Sequence, residues 1–230
     1  MAKRILLVDD EPLIIKGLIY TLKQEGYETD FATDGEVALQ KFFSEHYDFV
    51  LLDVMLPKLD GLSVCQRIRE HSNVPIIMIT AKGEQIDTIL GLEYGADDYM
   101  SKPFNILEVK ARIKTILRRV ENTNNQKTNK ILKVHDLIMN ISARSILLGE
   151  NNILLTAREF DLLHIFMMNP GKVLTREYLL ETVWKYDYAG DARTVDVHIR
   201  RLREKIERDP SQTEFIFTKW GVGYYFTDED

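Results

Sequence analysis

Five strand-like runs alternate with five stretches of helical spacing across the first 120 residues, and few folds accommodate that order. The runs fall at residues 5–8, 28–32, 49–53, 75–80 and 98–101, and the helical stretches at 13–24, 35–45, 61–71, 84–94 and 105–119. Ile5-Leu6-Leu7-Val8 and Phe49-Val50-Leu51-Leu52 are apolar at every position, the pattern of a strand buried on both faces. Parallel strands need a crossover between them, and a helix after each strand supplies it. The first half is therefore expected to form a doubly wound α/β domain on a five-stranded parallel sheet.

Four of the runs lead into polar residues: Asp9-Asp10 after the first, Asp53 at the end of the third, Thr80 at the end of the fourth, and Lys102-Pro103 after the fifth. Such sheets place their chemistry at the carboxyl ends of the strands. Three carboxylates, a hydroxyl and an ammonium thus converge on one edge. Three ionised carboxylates that close together repel, and require a cation or a bound proton. Oxygen ligands alone favour a hard cation, and Mg2+ uses one or two carboxylates plus a phosphate. Lys102 supplies a second positive charge, Thr80 a hydroxyl donor, and the small Ala81 leaves room beside it. The set suits phosphoryl transfer to a carboxylate, with cation and ammonium neutralising charge on the phosphoryl oxygens.

On these residues the chain, from residue 1 to about 120, resembles a response-regulator receiver domain, flavodoxin-like in fold. The matching motifs are Val8-Asp9-Asp10-Glu11, Leu52-Asp53 with Pro57 and Gly61, Thr80-Ala81, and Gly95-Ala96-Asp97-Asp98-Tyr99 leading to Lys102-Pro103-Phe104. The resemblance implies that Asp53 accepts a phosphoryl group from a sensor histidine kinase. It implies Mg2+ held by Asp10, Asp53 and the backbone carbonyl of Met55, with Asp9 acting mainly through water. Thr80 and Lys102 would bind phosphoryl oxygens, Tyr99 would be the aromatic that follows Thr80, and the Lys102–Pro103 bond would be cis. Met55 has no polar group to orient an attacking water, so slow self-hydrolysis is expected. Receivers of this kind pair as homodimers through charged residues. Asp97 with Arg112, and Asp98 with Arg119, match that pattern; Glu108 matches too, but its usual basic partner is replaced by Thr88.

The second half changes style. Residues 121–130 (ENTNNQKTNK) contain no apolar side chain and read as a linker. Short strands are expected at 131–134, 137–140, 145–148 and 153–155. Thr156 and Glu159 form a capping box opening a helix to about residue 168. A second helix covers 176–183, a loop 184–190, and a third helix 193–208, capped by Asp191. Strands at 215–218 and 224–226 flank a Gly-Val-Gly turn. In the third helix Val195, Ile199, Leu202 and Ile206 share one face at about 100° per residue; Arg193, Val197, Arg200, Arg201 and Glu204 lie opposite, with Thr194 and Lys205 at the edge. A helix with a basic outer face fits a DNA major groove, where arginines read guanine or grip phosphate.

This α+β half resembles the winged helix-turn-helix effector domains of the OmpR/PhoB class over about residues 131–228. The resemblance rests on Leu155-Thr156-Ala157-Arg158-Glu159-Phe160, Leu174-Thr175-Arg176, Trp184, the run from Arg193 to Arg203, and Gly221-Val222-Gly223-Tyr224. It implies promoter DNA as a partner, contacted by Arg193, Thr194, Val197, His198, Arg200, Arg201 and Arg203 of a recognition helix. Lys219, Trp220, Gly221 and Tyr224 would form the contacting wing, near the minor groove, and the loop at 184–190 would meet RNA polymerase in some members. One departure stands out: where the family often carries an arginine before the wing glycine, this chain has Trp220. Its indole packs either on DNA or on its own domain, and Lys219 is left to contact phosphate.

Composition limits the alternatives. With 45% hydrophobic and 29% charged residues the chain reads as globular. No apolar run approaches the roughly 20 residues of a membrane span, and the opening residues do not read as a signal peptide. A single cysteine, Cys65, permits no internal disulfide and suggests a reducing, cytoplasmic setting. Net charge of −6 argues against whole-protein attraction to nucleic acid, leaving DNA binding to local distribution. An aspartyl-phosphate phosphatase would want a second Asp two residues after Asp53, where Met55 stands. A phospho-dependent adaptor whose winged helix binds protein remains a further class. The expected organisation is a receiver at 1–120, a linker at 121–130 and an effector domain at 131–230.

Overall fold

A computed structural model describes residues 2–81, 94–122, 130–184 and 193–227. They divide into two compact units, Met1–Arg119 and Val120–Asp230.

The first unit is built on a parallel sheet in the order β2-β1-β3-β4-β5, from strands β1 (Arg4–Val8), β2 (Glu28–Ala32), β3 (Phe49–Asp53), β4 (Ile76–Ala81) and β5 (Asp98–Lys102). Helices α1 (Pro12–Gln24), α2 (Gly35–Ser44), α3 (Gly61–Arg69) and α4 (Ile106–Asn122) connect or follow the strands. Side chains alternate across a strand with period two, so each strand feeds two cores. Ile5, Leu7, Phe49, Leu51, Ile77 and Ile79 pack with Ile15 and Leu18 of α1 and Val109 and Ile113 of α4. Leu6, Val8, Val50, Leu52, Ile76 and Met78 pack with Ala38 of α2 and Val64, Cys65 and Ile68 of α3. Cys65 is a buried free thiol in that second core. The chain winds outward from β1 to β2, then reverses to β3. The β1/β3 junction is the switch point where sheets of this type open a crevice at their carboxyl edge.

The second unit opens with an antiparallel meander of β6 (Ile131–Val134), β7 (Leu137–Asn140), β8 (Ser145–Leu148) and β9 (Asn151–Ile153). Helices α5 (Ala157–Met167), α6 (Arg176–Trp184) and α7 (Arg193–Ile206) follow. A second small sheet, ordered β10-β12-β11, joins β10 (Leu174–Thr175) to the terminal hairpin of β11 (Ile216–Lys219) and β12 (Gly223–Phe226). One core, including Phe160, Phe166, Trp184, Leu202 and Phe226, unites the three helices with both sheets.

The structure departs from the expected elements at several points, of which three are instructive. Helix α4 continues to Asn122, two residues into the expected linker. The strand expected at 153–155 lies at Asn151–Ile153, because Thr156 is the N-cap of α5 and its capping box with Glu159 is complete. The two-residue β10 has no period of its own; it exists through pairing with β12. The expected helix at 84–94, the loop beyond Trp184 and Asp191 lie outside the described residues, apart from Tyr94.

Candidate functional site

Asp9, Asp10 and Asp53 each bring a carboxylate oxygen within 4.8 Å of the others at the β1/β3 junction. Asp53 is buried at the end of β3: its Oδ1 accepts the Met55 N–H at 3.1 Å and its Oδ2 accepts from Lys102 Nζ at 2.6 Å. Asp9 is also buried, with Oδ1 accepting the Glu11 N–H at 2.8 Å and Oδ2 3.0 Å from Lys102 without hydrogen-bond geometry. Asp10 is exposed. Lys102 reaches the group from the end of β5 and also donates to Glu11 Oε1 at 2.8 Å. Glu11 was not among the expected site residues.

Burial pushes the Asp53 carboxyl above the usual range and Asp9 adds to this, while Lys102 and the Met55 N–H oppose it. Burial pulls the Lys102 ammonium down, but its contacts with Asp53, Glu11 and Asp9 outweigh that, and the net shift is upward. One ammonium among four carboxylates leaves excess negative charge. Thr80, at the end of β4, is 2% exposed, and its Oγ1 has no hydrogen-bond partner among the described residues. A buried, unpaired hydroxyl costs stability unless a ligand takes it up. The excess charge and clustered oxygens fit a small hard cation, and the Thr80 hydroxyl and Lys102 fit an anion beside it.

The loop after Asp53 is held from several sides. A Cβ on Gly61 would lie 2.0 Å from the Asp53 carbonyl oxygen, so only glycine lets the loop close back on β3, where Gly61 N–H donates to Val54 O at 2.9 Å. Lys58, at φ 65°, bonds the α2 N-cap Asp34 at 2.7 Å, and Gly35 sits against the Leu59 carbonyl. Met55, at the start of this loop, is exposed. Tyr99 is half-buried on the α2/α3 core, and Lys102–Pro103 is cis. Leu13, Ile14, Pro103, Phe104 and Ile106 line an apolar cleft of about 520 Å³ alongside Lys102 and Glu11.

The residues expected to form a dimer face are placed differently. Asp97 is fully buried, and its Oδ2 accepts from Arg69 and from the Ile76 N–H, each at 2.9 Å, rather than pairing with Arg112. Arg112 instead bonds Asp98 and Glu108 of the same chain, each at 2.7 Å. Adjacent acids on an extended chain point to opposite sides, which is why Asp97 and Asp98 part. Asp97, Asp98 and Arg112 are thereby buried and paired within the chain, and Glu108 is the exposed member of the expected dimer set among the described residues. The Arg119 side chain and Thr88 lie outside the description.

In the second unit α7 is covered on more sides than its apolar period indicated. Thr194, Val197 and His198 are buried; His198 Nδ1 lies 2.9 Å from the Thr194 carbonyl and its ring meets Trp184 edge-on. Arg203 bonds Ile216 O and Thr218 Oγ1, tying α7 to β11. Tyr224 is buried, with its hydroxyl donating to Asp196 at 2.7 Å. Arg201 lies 3.3 Å from the buried Glu159, which also accepts from Lys205 at 2.6 Å. The expected direct contacts by Thr194, Val197, His198 and Tyr224 are therefore corrected: these side chains build the domain. Arg193, Arg200, Lys219, Trp220 and Gly221 are exposed. Sequence reasoning missed the buried Arg158, which bonds the Val183 carbonyl and lies over the Trp184 ring, since an arginine on a helix reads as surface.

The sequence matches the family model of the response regulator receiver domain over residues 5–114, and that of the transcriptional regulatory protein, C terminal, over residues 149–226. Among solved structures, a point mutant of RitR is 32% identical, with 100% of each chain covered and a TM-score of 0.76. DrrB, an OmpR/PhoB homologue from Thermotoga maritima, is 36% identical over 99% of this chain and 100% of its own, with a TM-score of 0.52. A CheY-like receiver domain protein from Methanospirillum hungatei is 30% identical over 53% of this chain and 98% of its own, with a TM-score of 0.51. The acidic crevice and the winged-helix half thus have their counterparts in one set of proteins, and the chain belongs to the OmpR/PhoB-type response regulators, a receiver domain followed by a DNA-binding domain.

Proposed function

We propose that this chain is a transcriptional regulator switched by phosphorylation of Asp53. The observation that carries the reading is the Asp53 carboxylate, buried at the switch point, bonded to Lys102 at 2.6 Å and grouped with Asp9 and Asp10. Asp53 attacks the phosphorus of a phosphohistidine on a sensor kinase; the P–N bond breaks, and the imidazole leaves with the electron pair and takes a proton. The product is an acyl phosphate on Asp53.

Receiver domains bind Mg2+ at an acidic pocket, and here Asp9, Asp10, Asp53 and the Met55 carbonyl would hold it. When bound it would offset negative charge on the phosphoryl oxygens. Lys102 turns from its three carboxylates toward a phosphoryl oxygen, and the Thr80 hydroxyl donates to another. Tyr99 follows into the space beside Thr80. The exposed Leu13 and the cleft it lines give the kinase an apolar rim beside the acceptor. The new contacts bias a pre-existing equilibrium toward a state that dimerises, through a face that includes the exposed Glu108. Paired effector domains then bind promoter DNA through Arg193, Arg200 and their neighbours, and present the 184–190 segment to RNA polymerase.

Labelling with a small phosphodonor tests this. Wild type is expected to take up one phosphoryl group in a Mg2+-dependent manner, and Asp53→Asn none. Full labelling of Asp53→Asn would end the assignment.

A further inference from the structure

Of the three carboxylates that meet Lys102 among the described residues, Glu11 alone lies outside the group formed by Asp9, Asp10 and Asp53. Its backbone is fixed on three sides. The Asp9 carboxylate accepts its N–H at 2.8 Å, its carbonyl accepts the Ile15 N–H at 3.2 Å, and Pro12 follows it at the start of α1. Glu11 is the N-cap of that helix, yet its side chain makes no capping bond. Ser, Thr, Asp and Asn fill this position best, because a short side chain folds back on the first turn. The longer Glu11 side chain instead reaches across the crevice to an ammonium 91 residues away in sequence.

Lys102 therefore stands between two kinds of partner. The Asp53 and Asp9 side chains are 3% and 2% exposed, that of Lys102 20% and that of Glu11 56%. The ammonium has a buried partner in the acceptor at 2.6 Å and a solvated one at the rim at 2.8 Å. Against burial, which pulls the ammonium down, Glu11 is second only to Asp53 among the contacts that hold it up. An ammonium has three donors to share. A phosphoryl group on Asp53 would present its oxygens farther out than the carboxylate does, and would need a donor that Glu11 holds in the resting crevice. The pull toward the rim also leaves Asp9 Oδ2, which lacks hydrogen-bond geometry to Lys102, open to a cation.

We propose that Glu11 is a positioning residue for the phosphoryl switch: it draws Lys102 toward the rim of the resting crevice and competes with phosphoryl oxygens for the same ammonium. This rests on the reading of Asp53 as acceptor and adds to it. Two binding steps should then respond to Glu11 in opposite senses. Removing its charge releases Lys102 onto the buried acids and takes one negative charge from the crevice, so Mg2+ alone binds less well. The released ammonium closes on a phosphoryl group without a competitor, so a mimic of the acyl phosphate binds better. A side chain that merely supported the fold would weaken both steps together.

The test uses the full chain. Isothermal titration reads Mg2+ binding without a phosphodonor, and fluorine NMR at saturating Mg2+ reads binding of beryllofluoride. Because one partner of the pair is exposed, the effects are modest: Glu11→Gln should bind Mg2+ about threefold more weakly and beryllofluoride about threefold more tightly than wild type. Glu11→Asp keeps the charge but is one methylene shorter and falls short of Lys102. It should match Glu11→Gln for beryllofluoride and fall between Glu11→Gln and wild type for Mg2+, which separates the contact from the charge. As the Glu11 side chain makes no capping bond, neither variant should lower the Mg2+-free Tm. The inference is overturned if beryllofluoride affinity fails to rise in either variant, or if Mg2+ affinity fails to fall in Glu11→Gln. Loss of both affinities with a lowered Tm would mark Glu11 as a support of the fold only. Failure of wild type itself to bind beryllofluoride would instead remove the reading of Asp53 as acceptor.

Discussion

The two halves of the molecule carry function differently: the receiver by convergence and the effector by exposure. In the receiver, Asp9, Asp53, Thr80 and Lys102 come from four strand ends separated by as many as 93 residues, yet the parallel sheet must align them, as the registers Val8↔Leu52 and Ala81↔Lys102 show. In the effector, the nominated residues lie along one helix and one hairpin, and what matters is which of them the domain leaves uncovered. Topology determines the first arrangement almost alone. The second depends on packing from several sides, so four of the eleven nominated contacts, Thr194, Val197, His198 and Tyr224, are buried structural side chains.

The largest effect expected from this contrast is at Asp53. Replacing it by Asn should abolish phosphodonor labelling while leaving a folded domain, because a converging site loses its chemistry with a single atom. Retained labelling on another acid would show that the cluster, rather than its one nucleophile, is the unit.

A smaller effect should separate His198 from Arg200, two residues apart on α7. His198→Ala removes a buried ring packed on Trp184 and should destabilise the effector by about 1–3 kcal/mol, seen as a lowered Tm. Arg200→Ala should leave the Tm unchanged, weaken DNA binding and flatten its salt dependence by about one. Equal Tm values for both variants, measured by calorimetry, would contradict the assignment of His198 to the core.

The electrostatics of the crevice predict a further, modest effect. Because burial raises the Asp53 carboxyl, the folded receiver binds that proton more tightly than the unfolded chain does. The stabilisation this proton brings is present below the ordinary carboxylate range, near pH ~3.9, and is lost as pH rises through the raised value. At neutral pH the ionised crevice is therefore a strained one. Mg2+ should raise the Tm of wild type by a few degrees and that of Asp53→Asn by less. An identical Mg2+ response in both would mean that Asp53 is not among the ligands. The smallest effect concerns Met55: exchanging it for Gln places a polar group beside the acceptor and should shorten the phosphoryl lifetime, as read by loss of label over time.

The same contrast explains what was legible in the sequence. The run Phe49–Asp53 and the acids after Val8 could be assigned without a structure, because strand period and strand order leave one placement for them. Asp97 could not, since choosing between Arg69 and Arg112 as its partner requires knowing that Arg69 lies across the mouth of β5, bonded to Gly95 O and Val74 O. Glu11 was quoted in a motif but not given a role, because nothing in the spacing says that Lys102 would reach it. On α7, helical spacing located the apolar stripe correctly at Val195, Ile199, Leu202 and Ile206, but it takes no account of the hairpin that Arg203 and Asp196 hold against the helix. Trp220 is exposed, so its side chain does not pack on its own domain.

The central claim is that chemistry at Asp53 controls DNA binding by the other half of the chain. Its most direct test is capture of sheared genomic DNA by wild type and Asp53→Asn, each with and without beryllofluoride plus Mg2+. Enrichment of a repeated motif only by wild type with beryllofluoride is the result expected here. Equal enrichment in all four samples would contradict the switch, leaving a DNA-binding protein whose receiver does not govern it.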